Sequence, residues 1–304
     1  MSDENKAHED EEEDLFEHSL ITALVSMAIG EDLGPEGDVT SRIIPHEANC
    51  RAEVVFREDG VLAGLPLVPL VLERLGRHVT FEATAEEGAR LSKGDVVGVL
   101  SGNARQVLML ERTLLNLLQR MSGTASATRR FVDAIEGTAA KLLDTRKTIP
   151  GWRLLQKYAV TVGGGVNHRM GLHDMVLIKD NHLAVHGGEE AVGKVVELAR
   201  QQAPGIPLEI EVTTLAGALA AAQAGADYVL LDNFTPAQLA EIVEAVHADA
   251  KERGAEPPQL EASGGINLET VRAVAESGVD RISTGWITHS APSLDIALDF
   301  KELG

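Results

Sequence analysis

Residues able to bind anions or exchange protons stand directly after short apolar runs in the second half of the chain. Basic residues follow the first two runs, carboxylates follow the middle runs, and glycine-rich turns follow the last two. Randomly placed surface charge would not sort by residue type in this way, so the groups are interpreted as parts of one site. The residues are, in chain order, Asp144, Arg146 and Lys147; Lys179, Asp180, Asn181 and His182; Glu209 and Glu211; Asp232 and Asn233; Ser263, Gly264 and Gly265; and Thr284, Gly285 and His289.

The first groups lie in a segment of reversed charge. Between Lys141 and His182 there are seven lysines and arginines against three acids, whereas the whole chain has a formal net charge of −20. A positive pocket suits carboxylates and phosphates, because arginine can hold either group through two parallel hydrogen bonds. The side chains predicted to form this pocket are Arg146, Lys147, His168, Arg169 and Lys179.

The later groups predict a phosphate and magnesium side of the same pocket. The small residues of "ASGGI" and "STGWITHS" let backbone N–H groups and the start of a following helix approach a phosphate. Glu211 and Asp232 end consecutive runs and could hold Mg²⁺, which takes one or two protein carboxylates together with water and substrate phosphate oxygens. The predicted ligand is therefore polyanionic, phosphorylated and bound to magnesium.

A repeated unit of strand followed by helix must position these groups. The apolar runs, each a predicted strand, are 141–143, 175–178, 208–212, 228–231, 260–262 and 281–283. Thr213, Thr235 and Asn267 are the predicted N-caps of three helices between them. Alternating strands and helices predict a parallel sheet with its site at the carboxyl ends of the strands. Because six or seven strands can be counted rather than eight, the sequence predicts an open, incomplete α/β barrel of the TIM type. A doubly wound sheet is the alternative, but no G-x-G-x-x-G follows an early strand.

The first half of the chain has a different organisation. Apolar spacing predicts an amphipathic helix over 15–29 that Gly30 ends, and short apolar runs between turns predict strands over 51–100. A second helix is predicted over 107–121, with Arg112 on the face opposite its apolar stripe. Residues 1–14 form a predicted disordered acidic tail.

Composition excludes several classes of protein. The charge of −20 argues against nucleic-acid binding. The longest apolar run, 61–72, is shorter than the about 20 residues that cross a bilayer, so no membrane association is expected. Cys50 is the single cysteine, which excludes an intrachain disulfide and fits a reducing compartment. We expect a soluble, cytoplasmic protein.

Several of these stretches resemble the quinolinate phosphoribosyltransferase family. The resemblance runs from about residue 20 to the C-terminus, in the same order as in the family, and the segment 144–182 is its most specific part. The stretches that carry it are "EDLGPEGDVTS", "ERTLLNLLQRMSG", "DTRKTIPGWR", "GGGVNHRMGLHDMVLIKDNH", "EIEV", "LLDN", "EASGGI" and "THSAPSLDIALDF".

The resemblance implies a two-domain architecture and a homodimer or larger assembly. It implies an N-terminal α/β sandwich over 15–117 together with 290–304, and an open barrel over 118–289. Each active site would be completed by the neighbouring subunit, which donates Arg112 to the quinolinate site. That role would account for an arginine facing away from its helix's apolar stripe.

The implied reaction joins quinolinate to 5-phosphoribosyl-1-pyrophosphate and releases CO₂ and pyrophosphate, leaving nicotinate mononucleotide. The catalytic residues implied are Lys147, Lys179, Glu211 and Asp232, with Mg²⁺ held by the two acids, partly through substrate and water. The implied substrate-binding residues are Arg112, Thr145, Arg146, Lys147, His168, Arg169, Lys179, Glu211, Asp232, Ser263, Gly264, Gly265, Thr284, Gly285, Trp286 and His289. Trp286 departs from the small residue expected beside the phosphate loop, and Arg153 receives no role.

Three alternatives remain open at this point. A phosphoribosyltransferase of the same family could use nicotinate or another acceptor, although three arginines and a histidine favour a dicarboxylate. An aldolase-like barrel could use Lys179 as a Schiff-base nucleophile after the apolar run "MVLI". The third is a sensor that binds a sugar phosphate without turnover.

Overall fold

The computed structural model describes residues 15–16 and 18–303, so the predicted tail 1–14 lies outside the described residues. The chain divides into two compact units. The first contains the described residues up to 127 together with 149–164 and 291–303, and the second contains 128–148 and 165–290. The predicted limits placed residues 118–289 in the barrel. The structure differs chiefly because residues 118–127 and 149–164 belong to the first unit. Within the described residues, no helix is long and apolar enough to cross a membrane.

The elements are numbered in chain order. The strands are β1 (Asn49–Phe56), β2 (Gly60–Val61), β3 (Val79–Ala83), β4 (Arg90–Leu91), β5 (Val96–Asn103), β6 (Lys141–Leu143), β7 (Val176–Ile178), β8 (Leu208–Val212), β9 (Tyr228–Asp232), β10 (Gln259–Ser263), β11 (Arg281–Ser283) and β12 (Ile296–Leu303). The α-helices are α1 (Ser19–Leu33), α2 (Leu67–Leu75), α3 (Ala104–Ala134), α4 (Arg153–Val162), α5 (Asp180–Val185), α6 (Val192–Gln202), α7 (Leu215–Gln223), α8 (Pro236–Arg253) and α9 (Val271–Ala275).

The first unit is built on an antiparallel sheet in the order β12-β1-β5-β3. The C-terminal strand pairs with β1, so that Leu298 lies opposite Val54. Alternate residues of β1 are buried, and with Leu100 of β5 and Leu118 of α3 they form the main apolar core of this unit. The strands and helices predicted for the first half of the chain are therefore confirmed as an α/β arrangement with an antiparallel sheet.

Two predicted helix ends were wrong. Helix α1 continues through Gly30 and ends at Leu33, before Gly34 with a φ of 52°. A glycine inside a helix costs about 1 kcal/mol relative to alanine, and the packing of Leu33 against the core offsets that cost. Helix α3 extends over Ala104–Ala134, well beyond the predicted 107–121.

The second unit contains a six-stranded parallel sheet in the order β6-β11-β10-β9-β8-β7. Strands β6 and β7 form its two edges, so the sheet is not closed and the predicted incomplete α/β barrel is confirmed. All six predicted strands are present with bounds that differ by no more than one residue. Because the strands are parallel, the polar groups that follow them gather at one edge of the sheet.

The helix N-caps of this unit differ in part from the prediction. Thr235 caps α8 with Gln238 in a capping box and Pro236 in the first turn, as predicted. The cap of α7 is Thr214 rather than Thr213, and its side chain accepts a hydrogen bond from Gly217 N. Asn267 caps the turn preceding α9, where its Oδ1 accepts from Glu269 N at 2.9 Å.

Candidate active site

A cavity of about 550 Å³ lies at the carboxyl ends of the parallel strands, and all of its lining residues belong to the second unit. Fifteen of the sixteen residues predicted to bind substrate line it. They are Thr145, Arg146, Lys147, His168, Arg169, Lys179, Glu211, Asp232, Ser263, Gly264, Gly265, Thr284, Gly285, Trp286 and His289. Residues that are far apart in sequence are thus brought together around one space.

The sixteenth residue, Arg112, is placed elsewhere. It lies on the exposed side of α3, within the first unit, and is not among the lining residues. Its neighbours Thr113 and Leu114 are buried, so the predicted orientation away from the apolar stripe is confirmed. Arg153, to which the sequence assigned no role, begins α4.

Two half-buried arginines, Arg146 and Arg169, form one wall of the cavity. Burial lowers the pKa of Arg169, and the nearby charge of Arg146 lowers it further. The buried Nε of Arg146 has no hydrogen-bond acceptor among the described residues. The Arg169 guanidinium donates to the carbonyl oxygen of Met175 at 3.1 Å. Neither guanidinium forms an ion pair with a described acid, so the positive charge of this wall is available to an anionic ligand.

Two acids, the buried Asp144 and the half-buried Asp174, anchor the loop that carries Arg169. Asp144, at the end of β6, accepts a hydrogen bond from His168 N at 2.9 Å. Asp174 accepts from Met170 N at 2.5 Å and from Gly171 N at 2.8 Å. Since carboxylates hold the loop's backbone on both sides of Arg169, the arginine is presented from a fixed backbone rather than a loose loop.

The acidic wall is formed by Glu211 and Asp232 on neighbouring strands. Glu211 accepts from Lys179 Nζ. The carboxylate of Asp232 accepts from Ser263 Oγ at 2.9 Å and from Asn233 Nδ2 at 2.7 Å. Carboxylate oxygens oriented in this way, next to open space, are suitable ligands for Mg²⁺.

The turn after β10 requires glycine. Gly264 has a φ of 92°, in the left-handed region that favours glycine, and Gly265 has a φ of 62°. A Cβ on Gly264 would lie 2.2 Å from Asn233 Oδ1 and 2.9 Å from Asn233 N. The close approach of these two turns therefore requires glycine at position 264, and a glycine turn that lines a cavity is suited to binding phosphate through backbone N–H groups.

The turn after β11 contacts Lys147, which follows the neighbouring strand β6. Thr288 Oγ1 donates to the carbonyl oxygen of Lys147 at 2.9 Å. A Cβ on Gly285 would lie 3.0 Å from Lys147 Cδ, so the lysine stem crosses directly over this glycine. The indole of Trp286 lies against Phe131, with ring centroids 5.7 Å apart, and still lines the cavity.

A buried ionic cluster underlies the cavity, and the sequence did not identify it. His168 Nε2 lies 2.8 Å from Glu209 Oε2 and 3.5 Å from Glu261 Oε1, and both carboxylates are fully buried. Burial lowers the pKa of His168, but hydrogen bonds and charge from the two glutamates raise it above its usual value. Burial and the neighbouring Glu261 raise the pKa of Glu209. Arg281 Nε donates to Glu261 Oε2 at 2.9 Å.

Five other lining residues were also missed by sequence reasoning: Leu177, Leu230, Ile266, Asn267 and Ser283. A signal for two of them was present. Leu177 and Leu230 precede Lys179 and Asp232 by two positions, and side chains two apart on a strand lie on the same face. By the same rule, Glu209 lies on the same face of β8 as Glu211, so the sequence also held a signal for Glu209.

Comparisons with known proteins agree with this geometry. The profile of the quinolinate phosphoribosyl transferase C-terminal domain matches residues 124–299, and that of the N-terminal domain matches residues 38–122. A probable nicotinate-nucleotide pyrophosphorylase (carboxylating) of Bacillus subtilis is 39% identical over 286 residues, covering 93% of this chain and 94% of the relative. The Mycobacterium leprae enzyme of the same name is 42% identical over 283 residues, covering 90% and 95%.

A solved structure is also similar. The nicotinate-nucleotide pyrophosphorylase from Francisella tularensis superimposes with a TM-score of 0.86 at 36% identity, covering 93% of this chain and 96% of that one. The similarity extends over both units.

Proposed function

This chain belongs to the quinolinate phosphoribosyltransferase family, and we propose how its cavity performs the family's reaction. It transfers the phosphoribosyl group of 5-phosphoribosyl-1-pyrophosphate to quinolinate with decarboxylation. The products are nicotinate mononucleotide, pyrophosphate and CO₂, in the de novo synthesis of NAD.

The neighbouring, unpaired arginines are the observation that carries the assignment of the acceptor side. Arg146 and Arg169 both line the cavity and lack a carboxylate partner among the described residues, where the acceptor found for these guanidinium groups is the carbonyl oxygen of Met175. Two guanidinium groups placed side by side repel each other, and a dicarboxylate between them reverses that repulsion. Quinolinate carries two adjacent carboxylates and can satisfy both arginines, whereas nicotinate can supply only one carboxylate.

The donor side is assigned to the two glycine turns and Lys147. The Gly264–Gly265 turn and the Gly285 turn offer backbone N–H groups to phosphate oxygens. Lys147 crosses the Gly285 turn, which brings its ammonium within reach of the pyrophosphate. We assign to Glu211 and Asp232, which line the same cavity, a second role in stabilising the ribose as it becomes positively charged.

The reaction then proceeds in two steps. The bond from ribose C1 to pyrophosphate breaks with its electron pair leaving on pyrophosphate, and the pyridine nitrogen bonds to C1. Lys147 and Lys179 stabilise the leaving charge, and the fixed alignment of nitrogen and C1 lowers the entropic barrier. The alkylated nitrogen is positive, so when CO₂ leaves the adjacent carbon the electron pair that remains is stabilised, and a proton takes its place.

We propose Mg²⁺ as the cofactor. Glu211 and Asp232 would hold it, together with water and substrate oxygens, and the residues fit because their carboxylates line open space next to the phosphate turns. When bound, the ion supplies charge neutralisation of the pyrophosphate.

The Schiff-base alternative receives less support. Lys179 Nζ donates to Glu211, whereas a Schiff-base nucleophile needs a neutral nitrogen with a free lone pair.

The test of the proposed function is an acceptor comparison. With quinolinate and phosphoribosyl pyrophosphate, we expect release of CO₂ and nicotinate mononucleotide in equal amounts, and loss of turnover when EDTA removes Mg²⁺. Nicotinate should be a poor substitute, because it leaves one arginine without a carboxylate. Product can be measured by chromatography and CO₂ from carboxyl-labelled quinolinate. Equal turnover of nicotinate would contradict the assignment.

We also propose a homodimer or larger assembly in which Arg112 acts on the partner's cavity. Its exposure on α3 and its absence from the cavity of its own chain support the proposal.

A mixed dimer tests this role. One subunit carries Arg112→Ala and the other carries Lys147→Ala, and each parent homodimer should be nearly inactive. If Arg112 is donated across the interface, the heterodimer contains one intact site and should recover activity. Heterodimers isolated with two different affinity tags that show no recovery would count against the role.

A cytoplasmic location is proposed on chemical grounds. The single cysteine, Cys50, is buried and free, which fits a reducing environment.

A further inference from the structure

The buried cluster of His168, Glu209, Glu261 and Arg281 has no part in the steps described above. Its two carboxylates are fully buried, and the Arg281 side chain is only 12% exposed. Burying four ionisable groups is expensive unless each has a partner. A cluster retained directly under a reaction cavity therefore calls for a functional explanation.

The strand pattern places this cluster one layer below the reacting groups. Glu209 precedes Glu211 by two residues on β8, and Glu261 precedes Ser263 by two on β10. Side chains two apart on a strand lie on the same face, so both glutamates share the face that bears the cavity. They are close to the site but separated from solvent, because both are fully buried.

His168 connects the cluster to the acceptor wall. Its Nε2 lies 2.8 Å from Glu209 Oε2, and its Nδ1 accepts a hydrogen bond from the backbone N–H of Arg169 at 2.7 Å. Both ring nitrogens thus have protein partners, although His168 also lines the cavity. The imidazole is a bridge from the buried carboxylates to the residue that bears a substrate-binding guanidinium.

A metal ion is the other use for this group, since His168, Glu209 and Glu261 place ligand atoms within 4.8 Å of one another. The tautomer of His168 argues against it. Because Nδ1 accepts from the backbone N–H of Arg169, the imidazole carries its proton on Nε2, which faces Glu209. That nitrogen has no lone pair for a metal, whereas a histidine that ligates a metal carries its proton on the other ring nitrogen.

We propose that Glu209 and Glu261 are positioning residues for the acceptor: through His168 they fix Arg169 beside Arg146 in the geometry that grips quinolinate. The inference rests on the proposed role of Arg169 in acceptor binding. In this proposal the cluster orients His168, and His168 in turn orients Arg169 for binding the acceptor.

The test begins with Glu209→Gln, which preserves the size and one acceptor oxygen but removes the charge. A hydrogen bond to an ionised acceptor is about twice as strong as a neutral one, so we expect the KM for quinolinate to rise about tenfold. The KM for phosphoribosyl pyrophosphate and kcat should change by less than about twofold. Thermal unfolding followed by circular dichroism confirms that the variant is folded.

A double-variant cycle separates positioning from general loosening. If Glu209 acts through Arg169, adding Glu209→Gln to Arg169→Lys should raise the quinolinate KM much less than it does in the wild-type background. Glu189→Gln is the matched control. Glu189 also holds backbone N–H groups of this unit, those of Thr213 and Thr214, but lies outside the cluster. It should leave the quinolinate KM unchanged.

Four results would overturn the proposal: an unchanged quinolinate KM in Glu209→Gln, an equal rise in both KM values, full additivity with Arg169→Lys, or a stoichiometric metal ion that survives dialysis in the wild type and is lost in Glu209→Gln. Should Glu209→Gln not fold, Glu261→Gln replaces it in the same cycle. Failure of the proposed function would look different, because wild-type protein would then release no CO₂ from quinolinate.

Discussion

Replacing Lys147 by methionine should lower kcat by about 100-fold, the cost commonly seen when one group that stabilises developing negative charge is removed. Methionine is unbranched and keeps the stem over Gly285, so packing is preserved while the ammonium is lost. The leaving pyrophosphate then gains charge without its nearest proposed cation. The KM for quinolinate should change little, because Lys147 is assigned to the donor side.

Two controls sharpen this experiment. Lys147→Arg retains the charge and should recover part of the lost rate. Lys141→Met removes a lysine from the exposed start of β6, the strand that precedes Lys147, and should leave kcat unchanged because Lys141 does not line the cavity. Steady-state kinetics with saturating substrates measure all three variants. A Lys147→Met enzyme with nearly normal kcat would rule out a role for this ammonium in pyrophosphate departure.

Arg146→Ala should raise the KM for quinolinate about 100-fold, since two charge-assisted hydrogen bonds are lost and each factor of ten corresponds to about 1.4 kcal/mol. The physical reason is the unsatisfied Nε of Arg146, which has no acceptor among the described residues. Its hydrogen-bonding capacity is available for a carboxylate. Removing the Arg146 guanidinium should also remove its electrostatic repulsion of Arg169. The free energy of unfolding should therefore change little.

The comparison for this variant is Arg130→Ala, which removes an equal charge from an exposed position of α3 in the same unit. It should leave both KM values unchanged. Isothermal titration with quinolinate gives an independent measure of binding. An Arg146→Ala protein that binds quinolinate as tightly as wild type would show that the carboxylates are held elsewhere.

Much of the second unit could be predicted, because its strands are short apolar runs that end abruptly in polar residues. Such a run identifies a buried strand without knowledge of its neighbours. The group Asp144, Arg146 and Lys147 could be placed at a strand end for the same reason. Helix ends were predicted less well: the continuation of α1 past Gly30 depends on packing of Leu33 against the core, which periodicity does not contain.

The sequence alone determined which residues meet at the carboxyl edge of the sheet, since parallel strands bring their ends together whatever their order. It also determined that basic side chains, carboxylates and glycine turns would line the cavity. Only the tertiary structure decided that His168 faces two buried glutamates and leaves Arg146 and Arg169 for a ligand. Those partners come from β8, β10 and the 165–175 loop, and their meeting depends on strand order and register, which a local pattern does not specify.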